Sequence, residues 1–368
     1  MFSQYFIIFL CLLGFCLYRT DSPKGLKNYI IFLMIIFTLQ SGLRDFSIGS
    51  DTENYVNQYD KVFSTTWDQI FQNFHDVYQN NEGKDAGYPL FQKILSYFLP
   101  SARWYLMFVG AFFFTSLGML MSCFLKTRTE VFISAVWYQA MFYSFYSLTG
   151  VRQVLATAFA FWAVYSVIKN KHWGYFVGLL IAGSFLHKSV LVMLPTFFLF
   201  KDVLKPKLTI LASYIVFPFM FAFGRIVCSA MVLISGSDVY LMYSESDYAA
   251  QGAQVFATGL IGMSFLTLNK LQAMKKELLN HYLVYMLAIA VVFTPLAWVD
   301  PSLMRVTQYF SLFTLFLIPY LYRCFGYNKK SFKIFFILLC LAIVYRHDFP
   351  YFISVSYTHL RAHETKAN

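Results

Sequence analysis

Long apolar runs separated by short, charge-bearing gaps dominate this chain. They fall at about 2–18, 29–43, 103–125, 131–148, 151–168, 173–187, 189–200, 208–234, 254–269, 281–298, 306–322 and 332–345. A hydrocarbon core about 30 Å thick takes roughly 20 helical residues to cross. Inside it the backbone has no water to bond, so runs of this kind are read as helices. The pattern predicts an all-α, polytopic membrane protein with about twelve transmembrane helices. The run at 189–200 is short for a span. With Pro195 inside it and His187–Lys188 before it, it is read either as a longer span than hydropathy shows or as half of a re-entrant hairpin with 173–187. The largest polar interval is 44–87, a loop of about 44 residues after the second helix, and pieces of 88–100 suit an interfacial amphipathic helix.

Loop charge orients the spans. The alternate loops 19–28, 126–130, 169–172, 201–207, 270–280 and 323–333 hold seventeen Lys and Arg; the opposite loops hold nine and most of the acids, including Asp45, Asp51, Glu53, Asp60, Asp68, Asp76, Glu82 and Asp85. Basic loops stay in the cytoplasm. The 44–87 loop and both termini are therefore expected outside. The start, MFSQYFIIFL, has no basic n-region and no small-residue cleavage site before Arg19, so it is read as a retained span.

Composition agrees with this picture. The chain is 58% hydrophobic, 21% aromatic and 13% charged, values that exclude a disordered chain and do not suit a soluble domain. The formal charge of +11 follows from topology and is no sign of nucleic-acid binding. The six cysteines lack metal-ligand spacing and read as small buried residues. Residues 1–353 are expected to form one transmembrane domain. The last stretch, SVSYTHLRAHETKAN (354–368), has neither period nor turn logic and reads as a non-native tail. Its His359 and His363 have i,i+4 spacing but no third ligand within reach by sequence, so neither a metal site nor any other cofactor is expected.

The candidate chemistry falls at the outer boundary. Arg44, Asp45 and Asp51 follow the second span; Arg152 and Gln153 begin another in GVRQVLA (150–156); His187 and Lys188 end a third; Asp300 and Arg305 flank a fourth. A transporter is expected to hold charge near the midplane, for which only Arg225 qualifies. Cations at the boundary suit the phosphates of a lipid head, which Arg binds bidentately. They also stabilise charge on a departing diphosphate. A sugar hydroxyl attacking there gains from a base, and Asp51, Glu53 and His187 are the candidates. Each residue also has a plainer reading, as a boundary ion pair, a solvated acid or a topology anchor. One-sided convergence is what singles them out. Arg152 and Arg305 are expected as diphosphate clamps in one pocket with Arg44 in support. Ala156, Ala160 and Ala163 offer a neighbouring helix close approach. Tyr55, Tyr59, Trp67 and Tyr78 offer ring faces to sugars.

Five pieces together resemble the EpsG family of Wzy-like membrane polymerases in bacterial exopolysaccharide, O-antigen-type and capsule synthesis. They are GLRDFSIGSDTENY (42–55), DAGYPLFQKIL (85–95), YSLTGVRQVLATA (146–158), AGSFLHKSVLVMLP (182–195) and RVTQYF (305–310). The Asp45–Phe46 pair departs from the pattern, in which an aromatic more often follows the Arg directly. The resemblance implies a multi-pass protein of the bacterial cytoplasmic membrane. It implies a metal-independent glycosyltransferase that joins glycan repeat units carried on undecaprenyl diphosphate at the outer face. Arg44, Asp51, Tyr55, Arg152, Gln153, His187, Lys188 and Arg305 stand on motif positions. Asp51, His187 and Arg152 are the expected catalytic residues. Arg44, Arg152, Gln153, Lys188, Arg305 and Tyr55 are the expected diphosphate and glycan ligands. The expected partners are the lipid-linked oligosaccharide, the bilayer, a chain-length regulator and other assembly proteins. The rival readings are a transporter or flippase for lipid-linked glycans, a membrane O-acyltransferase and a non-catalytic assembly protein.

Overall fold

A computed structural model describes residues 4–18, 21–49, 51–80, 85–201, 204–235, 253–272 and 278–325, with scattered positions between 330 and 341. Residues 354–368, and with them His359 and His363, lie outside the described residues, as does much of the span expected at 332–345. Among the described residues every regular element is helical. In chain order these are α1 (Gln4–Leu17), α2 (Pro23–Gly42), α3 (Thr52–Val62), α4 (Trp67–Gln79), α5 (Gly87–Ser96), α6 (Ala102–Phe124) and α7 (Arg128–Met141). A π-helical turn (Ser144–Thr149), α8 (Val151–Ile168), α9 (Trp173–Leu186), a 3-10 helix (Lys188–Lys201) and α10 (Pro206–Ser235) follow. The rest comprises α11 (Ala253–Lys270), α12 (Leu278–Phe293), 3-10 turns at Thr294–Trp298 and Pro301–Leu303, α13 (Met304–Ser311) and α14 (Thr314–Cys324).

Five of these helices are long and apolar enough to cross a membrane: Pro23–Gly42, Ala102–Phe124, Val151–Ile168, Pro206–Ala230 and Leu278–Trp298. Helices α1 and α9 are apolar but shorter. Several expected spans are divided. The run 131–148 is α7 followed by the π-helical turn, and 306–322 is α13 and α14 with a break between them. A hydropathy window reads composition and not hydrogen-bond register, so two helices in one apolar run look like one. The short run at 189–200 is a 3-10 helix of 14 residues. At about 2.0 Å rise per residue, it reaches roughly 28 Å, close to a hydrocarbon core. The polar interval 44–87 is largely helical, because α3 and α4 lie within it. Helix α4 begins at a capping box: Gln69 N–H donates to Thr66 Oγ1 (3.3 Å) and Thr66 N–H to Gln69 Oε1 (2.9 Å). The amphipathic helix expected in 88–100 is α5.

The chain forms two compact units. The first comprises residues 1–63, 96–154 and 318–368. Its centre is α2 against α6, where small residues let the helices close: a Cβ at Gly118 would lie 2.8 Å from Met34 Cγ, and one at Gly42 would overlap Met107. Phe37, Phe114 and Tyr138 pack ring against ring beside this contact. Buried Gln40 and Gln139 exchange amide hydrogen bonds of 3.2 and 3.0 Å and tie α2 to α7. Loops that charge assigns to one side of the membrane are joined: Asp21 to Arg128 at 3.3 Å, and Glu130 to Arg323 by a bidentate pair of 2.9 and 2.7 Å.

The second unit comprises residues 64–95 and 155–317. Here α9 and the 3-10 helix fold back on one another about His187, with the Phe176 and Phe197 rings 5.5 Å apart. The hairpin expected from Pro195 and His187–Lys188 is thus present as a shape. Gly183 of α9 lets α8 approach, since a Cβ there would lie 3.0 Å from Phe159 Cβ. Phe200 stacks on Tyr282 at 4.0 Å, which fixes the 3-10 helix to α12. Met220 and Cys228 of α10 pack with Leu296, Val299 and Leu303.

Candidate functional site

The first unit builds a polar cluster where α2 ends. Arg44 is 7% exposed. Its Nε donates to Thr52 Oγ1 (3.4 Å), and its Nη1 donates to Ser41 O and more weakly to Ser41 Oγ (3.4 Å). Those two hydroxyls carry the contact onward: Thr52 Oγ1 donates to Leu148 O (2.7 Å) and Ser41 Oγ to Ser147 O (2.9 Å). Both acceptors belong to the π-helical turn that runs into Gly150 and Arg152. Such turns expose backbone carbonyls and are frequent at functional positions. Gly49 presses on the same turn. It has φ of +94°, and a Cβ there would lie 2.3 Å from Leu148 O, so no larger residue fits.

A second guanidinium joins this cluster. Arg103 Nη1 donates to Gly42 O (3.0 Å) and to Arg44 O, and its guanidinium lies 4.2 Å over the Phe46 ring. Among the described residues no carboxylate pairs with Arg44 or Arg103. Asp45 is exposed and accepts instead from Ser47 N (2.9 Å) and Ser47 Oγ (2.7 Å), bonds that hold its carboxyl below the usual range. Loss of hydration pulls Arg44 down to about 10, and the Arg103 charge pulls the same way. Arg44 is still a cation at neutral pH. Among the described residues the two adjacent guanidiniums, one of them buried, therefore hydrogen-bond to neutral groups, while exposed Asp45 feels the Arg103 charge without pairing with it.

The other candidates of this unit surround the cluster or extend from it. Asp51 precedes α3 and makes no side-chain cap bond; Tyr55 is buried on the first turn of that helix. Arg152 is half-buried and Gln153 is buried, both in the first turn of α8.

The second unit builds a different cluster at the tip of the α9 hairpin. His187 Nδ1 lies within hydrogen-bond distance of Asp85 Oδ2 (3.1 Å), and Lys188 N–H donates to Asp85 Oδ1 (3.2 Å). Asp85 is 6% exposed and has φ of +49°, a conformation Asp tolerates better than most residues. Gly87 brings this acid in: a Cβ there would lie 2.5 Å from Phe185 O, just before the tip. Lys188 Nζ sits 5.5 Å from the centre of the Tyr78 ring. Burial, and then the Asp85 charge, raise the Tyr78 phenol. Next to Lys188, Ser189 Oγ bonds Tyr309 OH at 3.0 Å. Tyr309 is one helical turn on from Arg305, so Arg305 shares the face of α13 that meets the tip. Asp300 is buried, and its carboxylate accepts from Ser302 N (2.7 Å) as a cap, which is a structural duty. Arg225 is exposed on α10.

Arg44, Asp51, Tyr55, Arg152 and Gln153 thus fall in the first unit, and His187, Lys188 and Arg305 in the second. Two residues escaped the sequence reading as site members. Asp85 stood in the sequence as one loop acid among many and as part of a motif piece, because its partner His187 is 102 residues away. Arg103 was one interfacial cation among several. One signal marks it: it is the second residue of α6, where the helix dipole disfavours a cation. Arg152 and Arg305 are likewise the second residues of α8 and α13.

A family model described as the EpsG family matches residues 27–359. No curated protein and no solved structure matches the chain. All five motif pieces lie within the matched residues, and so do both clusters; the chain belongs to the EpsG family.

Proposed function

We propose that this protein is a polysaccharide polymerase of the bacterial cytoplasmic membrane, acting on lipid-linked glycans at its outer face. In this reading the chain crosses the bilayer about twelve times and exposes 44–87 outside. It joins repeat units carried on undecaprenyl diphosphate into an exopolysaccharide or O-antigen-type chain. An acceptor hydroxyl forms a new bond to the anomeric carbon of the donor sugar. The bond from that carbon to the diphosphate oxygen breaks, the lipid diphosphate leaves, and the hydroxyl proton passes to a base, Asp51 or His187.

The observation that carries this reading is the buried Arg44 beside Arg103, whose hydrogen-bond partners among the described residues are all neutral. An uncompensated buried cation is costly, and a phosphate oxygen would relieve it. Arginines at the starts of α6 and α8, in the same unit, support the same chemistry, because a helix N-terminus and a guanidinium attract one anion together. Cations aimed at the leaving group supply stabilisation worth several kcal/mol, by analogy with oxyanion-hole donors at about 2.7–4 kcal/mol each. They also supply the positive charge that a metal gives elsewhere.

The test uses purified full-length protein and lipid-linked repeat units extracted from a host strain lacking this chain. A ladder of products that persists in chelator supports the reading. Movement of the lipid across vesicles without any ladder, or acyl transfer without any change in length, overturns it.

A further inference from the structure

We infer that Asp85 is a positioning residue that holds the His187 imidazole in the one tautomer able to take the acceptor's proton, which makes His187 rather than Asp51 the base. The inference rests on the polymerase reading above. It adds the residue that sets the base and the way it does so.

The Asp85 carboxylate uses both of its oxygens. Oδ1 accepts the backbone N–H of Lys188 (3.2 Å), and Oδ2 faces His187 Nδ1 (3.1 Å). A carboxylate only accepts, so the imidazole must present Nδ1–H to it. The lone pair is then on Nε2, which is where a base needs it. The arrangement has a buried acid behind the histidine and an adjacent backbone donor that fixes the acid's rotation. It follows the logic by which an acid orients a catalytic imidazole in unrelated folds. Asp51 has no such support: it is partly exposed before α3, and its side chain makes no cap bond.

This geometry makes an amide at position 85 an informative error. In Asp85→Asn the Lys188 N–H still requires an acceptor, so the amide oxygen stays on that side. The NH2 group then points at Nδ1 and donates to it. The imidazole responds by moving its proton to Nε2, where it blocks the base. Fold and shape are kept while the chemistry is lost. In Asp85→Ala the wrong donor is absent and nothing at position 85 forces the proton onto Nε2. Asp85→Ala removes more contacts than Asp85→Asn yet is expected to turn over faster. A purely structural role for Asp85 gives the reverse order.

The experiment measures turnover and KM of the purified full-length protein on the extracted lipid-linked repeat units, with thermal stability alongside. Asp85→Asn is expected to lose at least about 100-fold in turnover, with KM within about threefold of the parent. It should be slower than Asp85→Ala. The double change Asp85→Asn with His187→Gln should be no slower than His187→Gln alone, since both act through one group. Asp85→Asn at near-parental turnover, the order Asn above Ala, or independent losses in the double variant would overturn the inference and leave the polymerase reading standing. A parent protein that makes no ladder overturns both. Should Asp85→Asn fail to accumulate, Asp85→Glu and Asp85→Gln pose the same question one methylene further out. The carboxylate variant must then turn over at least about tenfold faster than the amide, or the inference falls.

Discussion

The Arg44–Arg103 cluster of the first unit and the Asp85–His187 cluster of the second are assembled from similar parts. Each has a glycine pressed onto a carbonyl, Gly49 on Leu148 O and Gly87 on Phe185 O. Each has one deeply buried charge, Arg44 or Asp85, fixed by bonds to the backbone beside it. Their charge balance is opposite. The first, among the described residues, holds two cations bonded to hydroxyls and carbonyls with a ring beside one of them, and in the proposed reading an anion from outside completes it. The second holds a carboxylate whose two oxygens accept from a backbone N–H and an imidazole, so its hydrogen bonds are made within its own unit and it is suited to passing a proton. Buried charge alone therefore does not distinguish a ligand site from a proton-handling site; the partners do.

The largest effects should come from the first cluster. Arg44→Ala and Arg103→Ala are each expected to cut polymer formation by roughly 10²–10³-fold, equivalent to about 2.7–4 kcal/mol. Arg44→Lys should not restore it, because an ammonium cannot reproduce the guanidinium fork that reaches Thr52 and Ser41 together. Product ladders at matched protein level check this. A fully active Arg44→Lys would show that charge alone suffices there and would weaken the contrast with the second cluster.

The glycines rank next, and they should differ. Gly49→Ala meets Leu148 O and also places an L-residue at φ of +94°. Gly87→Ala meets Phe185 O without that second difficulty. Forcing a sparsely populated backbone conformation costs about 1–3 kcal/mol on top of the contact. Gly49→Ala should therefore melt lower in detergent than Gly87→Ala. Equal losses would mean that the carbonyl contact dominates at both places.

These features were unevenly legible in the sequence. The long apolar helices α2, α6, α8, α10 and α12 were plain, because burial in lipid imposes continuous hydrophobicity. The divided elements were not, since the π-helical turn at 144–149 and the 3-10 helix at 188–201 are hydrogen-bond patterns that apolar composition does not encode. Cations at helix starts were noticed as Arg152 and Arg305. Arg103 passed unnoticed because a boundary arginine is common, and only its place on the first turn of α6 sets it apart. Asp85 needed a partner from the hairpin tip, and nothing local in DAGYP announces which residue that is.

A smaller effect separates the clusters by ligand. Pyrophosphate bound only by the folded protein should stabilise it by about 2.7 kcal/mol at a hundred times its dissociation constant. The rise in melting temperature should be lost in Arg103→Ala and kept in Asp85→Asn. A response lost equally in both would erase the proposed distinction between an anion-binding cluster and a proton-handling one.

The smallest expected effect supplies the uncharged reference. Gln40 and Gln139 are buried in the first unit and satisfy one another reciprocally, with bonds of 3.2 and 3.0 Å. Neither needs anything from outside, and neither bears charge. Interhelical hydrogen bonds in membrane proteins average about 0.6 kcal/mol in double-mutant cycles, with about 1.7 kcal/mol at the upper end. Changing Gln40→Leu alone leaves the Gln139 amide without its partner, so the single change should cost more than the double change Gln40→Leu with Gln139→Leu. Polymer formation should scale only with the amount of folded protein in Gln40→Leu, in Gln139→Leu and in the double variant. If the coupling measured by thermal melts instead exceeds about 3 kcal/mol, neutral polar pairs in this unit are as consequential as its guanidiniums. The weight placed on missing counter-charge at Arg44 would then have to shift to hydrogen bonding in general.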